Sequence, residues 1–223
     1  MTRKTMGIAS AIVVLTMLAA GLWVGLRLPD DALLPVHWNI AGEADRFAGK
    51  WEALLMLPGM TAGVSLLLYF LPALEPKKRG LERSQGLYLA SWLGTLFVLG
   101  LAYVAILGVA LDRPVAVPQL LTGGIGILFL LIGNQLGKSR RMFMVGIRTP
   151  WTLANEEVWI RTHRLGGWLM VASGLLLLVL AVTGAPPSIT VPVFMAVIAL
   201  TILVPVTYSF LLWRRLRKDQ SSE

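Results

Sequence analysis

The sequence contains no cysteine, which excludes disulfides, thiolate catalysis and cysteine-built zinc or iron–sulfur centres. Charge is scarce too. Asp, Glu, Lys and Arg together make up 14% of the chain, against about 25% in an ordinary soluble domain. Histidine occurs only at His37 and His163. No His-Glu-x-x-His helix, Walker phosphate loop or Gly-x-Ser-x-Gly elbow is present, so no hydrolytic, phosphoryl-transfer or acyl-transfer chemistry is specified. The reading is non-enzymatic, with no cofactor and no metal.

Apolar residues take the place of the missing charge, 56% of 223 residues. They fall into six long runs, about 6–28, 52–74, 86–111, 118–136, 165–184 and 189–213. A hydrocarbon layer about 30 Å thick is crossed by roughly 20 apolar residues in a helix. Only helices and closed barrels satisfy the backbone there, and these runs are too long and too uniformly apolar for barrel strands. The sequence predicts an all-α membrane protein, a six-transmembrane-helix bundle. Arg3 and Lys4 before the first run imitate a signal peptide, but that run is longer than a signal core, and it is read as an uncleaved helix. Gly94, Gly100 and Gly108, and Ser173 with Gly174, suit close helix contact. The tail 219–223 reads as disordered.

The net charge of +8 does not mean nucleic acid, because no soluble domain remains to carry such a site. Of the 20 Lys and Arg residues, only Arg27, Arg46, Lys50 and Arg113 fall on the side reached after odd-numbered runs; the other 16 share the side of the two ends. Basic residues mark the cytoplasmic side. The expected state is a multi-pass protein of a bacterial inner membrane with both termini cytoplasmic. Residues 1–74 form a helix pair with an outer loop 29–51, and residues 86–213 form a four-helix region with a cytoplasmic loop 137–164.

Both loops are too polar and too long to be connectors. The outer one carries Pro35-Val36-His37-Trp38-Asn39, then Gly42-Glu43-Ala44-Asp45-Arg46 and Gly49-Lys50-Trp51. Trp38 and Trp51 suit the interfacial belt, and His37 with Glu43 and Asp45 match no metal spacing. A compact, self-packed loop is expected. The inner loop carries Gly146-Ile147-Arg148-Thr149-Pro150-Trp151-Thr152, then Asn155-Glu156-Glu157-Val158-Trp159 and Thr162-His163-Arg164. Pro150 forces extended backbone at Thr149, and Thr152 or Asn155 can cap a following helix. Trp159 and His163 then stack one turn apart. Two readings stand side by side. In one, an amphipathic interfacial helix buries Trp159 among headgroups. In the other, Asn155, Glu156 and His163 form a polar site that Asn134 closes from above. The basic residues Lys138, Arg140 and Arg141 suit anionic lipid.

These two passages carry a resemblance. The inner-loop text, with Gly133-Asn134 before it, resembles the SdpI-type immunity family, integral membrane proteins that protect against a secreted sporulation-delaying toxin. The outer-loop text resembles an N-terminal membrane domain of unassigned function often found in the same proteins. The resemblance implies protection from a membrane-active peptide, and signalling by holding a cytoplasmic repressor at the membrane. It would place toxin contacts at His37, Trp38, Asn39, Gly42 and Asp45. A surface for the regulator would use Asn134, Arg148, Pro150, Trp151, Asn155, Glu156, Trp159 and His163. The partners are then the bilayer, a peptide outside and a protein inside, with no nucleic acid. A small transporter or flippase, with Ser91, Thr95, Tyr103 and Ser173 as a sparse polar path, and a membrane enzyme using the inner-loop cluster are the alternatives.

Overall fold

A computed structural model describes residues 2–39, 42–76 and 78–221; Lys77, counted above among the basic residues, lies outside them. The elements in order are α1 (Arg3–Gly25), β1 (Leu33–Trp38), β2 (Ala44–Gly49), α2 (Lys50–Leu74), α3 (Lys78–Arg83), α4 (Gln85–Ala110), α5 (Val117–Leu136), α6 (Pro150–Ala154), α7 (Glu156–Thr183) and α8 (Pro187–Ser221). Six of them, α1, α2, α4, α5, α7 and α8, are long and apolar enough to cross a membrane. Their outward faces are apolar: Val182 is 85% exposed and Leu15 65%. Water would not tolerate so much exposed hydrocarbon, and lipid requires it.

The helices pack as two groups. In the first, α4 lies against α1 and α2, and three aromatic residues of α4 fasten it. Trp92 Nε1 donates to Ser10 Oγ at 2.9 Å, Tyr88 donates to the Leu68 carbonyl at 2.6 Å, and the Tyr103 hydroxyl lies 2.9 Å from the Met17 carbonyl and 3.0 Å from that of Leu54. Lipid gives no hydrophobic drive for helix association, so such polar contacts and close packing hold helices together. Tyr103 is therefore spent on the backbone, as is Thr95, which donates to the Ser91 carbonyl.

In the second group, α5 runs along α7, and α8 packs on α7. The α5–α7 contact is backbone against backbone. A methyl group at Gly167 would lie 2.8 Å from the Gly133 carbonyl oxygen, and one at Gly174 would lie 2.6 Å from that of Gly126. The small residues expected to serve close contact divide here: Gly174 does so, whereas Gly100 faces open space. The α4–α5 contact joins the two groups.

The structure changes several expected boundaries. The outer loop is a two-stranded antiparallel hairpin, with Leu33 opposite Gly49 and Trp38 opposite Ala44. Leu34 and Ala48 bury beside Val24, Leu54 and Ile106, so the apolar face of the hairpin caps α1, α2 and α4. At its base, Lys50 is buried and donates to the Leu28 carbonyl at 2.9 Å and to Asp30 Oδ1 at 2.8 Å. That hydrogen bond, with the ammonium charge, holds the Asp30 carboxyl below its usual range. The contribution is present above the ordinary carboxylate pKa and fades as pH falls through the lowered one. The fifth spanning helix starts at Glu156 rather than near 165, and the sixth continues to Ser221. Residues 219–221 are thus helical rather than disordered; Ser222 and Glu223 lie outside the described residues.

Gly167→Ala should lower the stability of the purified protein in detergent by roughly 1–3 kcal/mol, because a backbone oxygen cannot rotate away from the new methyl group. Gly100→Ala, which meets nothing within 4 Å, should leave the thermal midpoint unchanged or slightly raised.

Candidate functional site

Two non-helical segments lie at opposite ends of the bundle, and each bridges the two helix groups. On the face bearing the hairpin, the turn is closed by Asn39. Its N–H donates to the Glu43 carbonyl at 2.8 Å, its side-chain oxygen accepts from the Glu43 N–H at 3.0 Å, and its amide donates to Glu43 Oε2 at 3.1 Å. Gly42 has φ +85°, a left-handed conformation that glycine adopts without strain. A side chain there would also strike the ring of Pro118 at the start of α5. The hairpin tip therefore touches the second helix group. His37 Nδ1 lies 2.6 Å from Asp45 Oδ1 on the exposed side of the strands. Among the described residues, no three His, Asp or Glu side chains converge in a way that could hold a metal.

Beneath the tip is an apolar cleft of about 230 Å³. Trp38, Asn39 and Gly42 roof it. Its walls come from α5 (Leu121, Thr122), α7 (Ala181) and α8 (Phe194). Of the five outer-loop residues singled out in the sequence, Trp38, Asn39 and Gly42 line this cleft, whereas His37 and Asp45 do not.

At the opposite end, residues 137–149 form no helix or strand, yet Met142 and Ser139 are buried. Backbone polar groups in such a place need partners, and side chains from several helices supply them. Glu75, at the end of α2 and 2% exposed, accepts from the N–H of Phe143 at 3.0 Å and of Met144 at 2.8 Å. Ser84, between α3 and α4, accepts from the Arg140 N–H at 2.7 Å. His163 of α7 accepts from the Ile147 N–H through Nε2 at 2.9 Å, and its Nδ1 faces the Trp159 carbonyl at 2.8 Å. That pair of partners fixes a neutral ring with its proton on Nδ1. Both nitrogens of His163 are thus occupied, so the ring is a structural acceptor, available neither to a metal nor as a base.

The imidazole stacks on Trp159 at 3.9 Å between centroids, the stack expected from their spacing, and both residues are fully buried. Trp159 Nε1 donates to Ser139 Oγ at 3.2 Å. Gly146, at φ +116°, passes so close that a methyl group would lie 2.6 Å from His163 Nε2 and 3.0 Å from the Trp159 ring. Thr149 caps α6 in a reciprocal box with Thr152, with Pro150 in the first turn. Thr149 Oγ1 also lies 3.2 Å from Ser209 Oγ on α8. Asn155 caps α7 by accepting from the N–H groups of Glu157 and Val158.

Both readings of the inner loop are therefore corrected. Trp159 belongs to the fifth span itself, since only the short α6 precedes it, and it lies beneath the 137–149 segment rather than among headgroups. The polar pocket does not assemble either. Asn134 is exposed and accepts from Lys138 Nζ at 3.4 Å. Glu156 pairs with Arg141 at 3.5 Å, and His163 sits seven residues on, about 10 Å further along the axis. Arg148 donates to the Phe143 carbonyl at 2.8 Å, and Trp151 packs on Phe210 of α8, 4.9 Å between centroids. Glu75, Ser84 and Ser139 were not singled out in the sequence. The only signal for Glu75 is a lone acid placed between an apolar run and a basic cluster.

Comparison with known proteins covers both segments. Residues 138–209 match the model of the SdpI/YfhL protein family, and residues 12–62 match a domain of unknown function, DUF1648. The immunity protein SdpI of Bacillus subtilis (strain 168) is 22% identical over 203 residues, 91% of this chain and 94% of that protein. No solved structure matches the chain. The family match takes in residues 138–149 and all of α7, and the second match takes in the hairpin.

Glu75→Gln replaces one acceptor oxygen by a donor, which then faces the N–H of Phe143. It should cost about 2 kcal/mol and expose the 137–149 segment to limited proteolysis. Gly146→Ala should do the same, whereas Arg148→Ala, which removes one hydrogen bond from a carbonyl that water can reach, should raise the cleavage rate far less.

Proposed function

We propose that this chain is an immunity protein of a bacterial cytoplasmic membrane, with both termini inside, which protects its cell from a membrane-active peptide toxin met at the hairpin face. The similarity to the B. subtilis immunity protein across nearly its whole length supports the class of function. The lopsided placement of Lys and Arg supports the orientation. The cleft beneath the hairpin is the observation that carries the site. It is apolar, it opens beside the spanning helices, and its roof comes from a segment seated on the other helix group. An amphipathic peptide entering the outer leaflet can place apolar side chains there and meet Asn39 at the rim. His37 and Asp45, on the exposed strand surface, would meet its polar face.

The same reading gives the basic face to a cytoplasmic regulator. Arg148 and Pro150 are exposed, and Trp151 is half-buried beside α8. They flank the 137–149 segment, whose partners come from both helix groups. A peptide that shifts the hairpin tip against Pro118 would move one group relative to the other and so change that surface, which is what a sensor requires.

In a strain lacking the gene, expression of the protein should restore survival under the toxin peptide. Ala181→Trp, which fills the cleft, should abolish protection at an unchanged membrane level. A reporter fused after Trp151 should report inside, and one at Asn39 outside. Full protection by the filled-cleft variant would remove the cleft from the site, and no protection by the parent would remove the immunity reading.

A further inference from the structure

We propose that a groove between α3 and the 137–149 segment binds the phosphate of an anionic phospholipid from the surrounding leaflet. The groove does not depend on the immunity reading. Arg79 and Arg83 of α3 form one wall, Arg140 and Arg141 of the segment the other, with Glu156 and Ile160 of α7 at its end. Four guanidiniums and one carboxylate thus line the groove, and Arg141 already pairs with that carboxylate.

The two walls differ in a way that suits a ligand. Arg141 is anchored, its Nη1 donating to the Leu153 and Ala154 carbonyls at 3.1 and 3.0 Å. Arg140 is anchored as well, on the Ser139 carbonyl at 3.1 Å. Arg79 and Arg83 are exposed and have no hydrogen bond or ion pair among the described residues. The spacing of the walls is fixed because α3 lies directly on the segment. Leu81 is buried, and a side chain at Gly80 would collide with the Arg141 carbonyl oxygen. A guanidinium fork matches two phosphate oxygens at once, so free forks opposite anchored ones form a receptor for a tetrahedral anion.

Position identifies the anion's source. α3 joins the end of α2 to the start of α4, and therefore lies at the level where spanning helices emerge and lipid phosphates sit. Ile160 and Pro76 give the groove an apolar side, which suits the glycerol and first methylenes of a lipid and does nothing for a free phosphate ion.

The test is native mass spectrometry of the delipidated full-length protein, titrated with phosphatidylglycerol, phosphatidylcholine or inorganic phosphate. Phosphatidylglycerol should be retained in preference to phosphatidylcholine. The R79Q/R83Q variant should weaken its binding by about tenfold or more with an unchanged thermal midpoint. An R214Q/R215Q variant, which removes the same charge from the end of α8, should bind like the parent. Equal weakening by the two variants would show diffuse attraction rather than a site. No preference for phosphatidylglycerol, or displacement of the lipid by inorganic phosphate, would overturn the assignment to lipid.

Discussion

The structure depends on one constraint: a backbone segment without helix or strand, tucked against the end of a membrane bundle, must find a partner for each buried N–H and C=O. Residues 137–149 meet it with side chains. Glu75 receives the amides of Phe143 and Met144, Ser84 receives that of Arg140, and His163 receives that of Ile147. Those three acceptors come from α2, the α3–α4 junction and α7. The segment is therefore less a loop than a strap, and its position is set jointly by both helix groups.

The hairpin has the same relation to the bundle at the other end. Its buried residues belong to the core of α1, α2 and α4, while its tip meets Pro118 and roofs a cleft walled by α5, α7 and α8. Between these two bridges, the groups meet mainly where α4 packs on α5. A ligand in the cleft and a partner on the strap would thus act on the same degree of freedom, the placement of one helix group against the other. Packed interfaces tend to have discrete arrangements rather than continuous ones, which makes this joint the natural route between the two faces.

The spanning helices were legible in the sequence because lipid forbids charge over about 20 residues, and the six runs lie within the six long helices to within a few positions at most ends. The stack of Trp159 on His163 was legible too, since residues four apart share a helix face. The hairpin was not. Its strands carry Pro35, a bulge near His37 and polar residues on the outer side, so they show no clean alternation. Asn134 misled because an amide near a helix end looks costly, yet it reaches the exposed rim and finds Lys138 four residues on. Glu75 was missed because its role depends on where another segment's amides lie, 68 residues away, and no local pattern encodes that. A polar site was one of two uses its position allowed for His163; in the structure it accepts a hydrogen bond from the Ile147 N–H.

Amide hydrogen exchange of the protein in lipid nanodiscs tests the strap most directly. The N–H groups of Phe143, Met144 and Ile147 should exchange as slowly as those of the flanking helices, because each is hydrogen-bonded to a side-chain acceptor. Exchange at the rate of an open loop at these three positions would contradict the account, since the segment would then be solvated and Glu75 and His163 would not be its anchors.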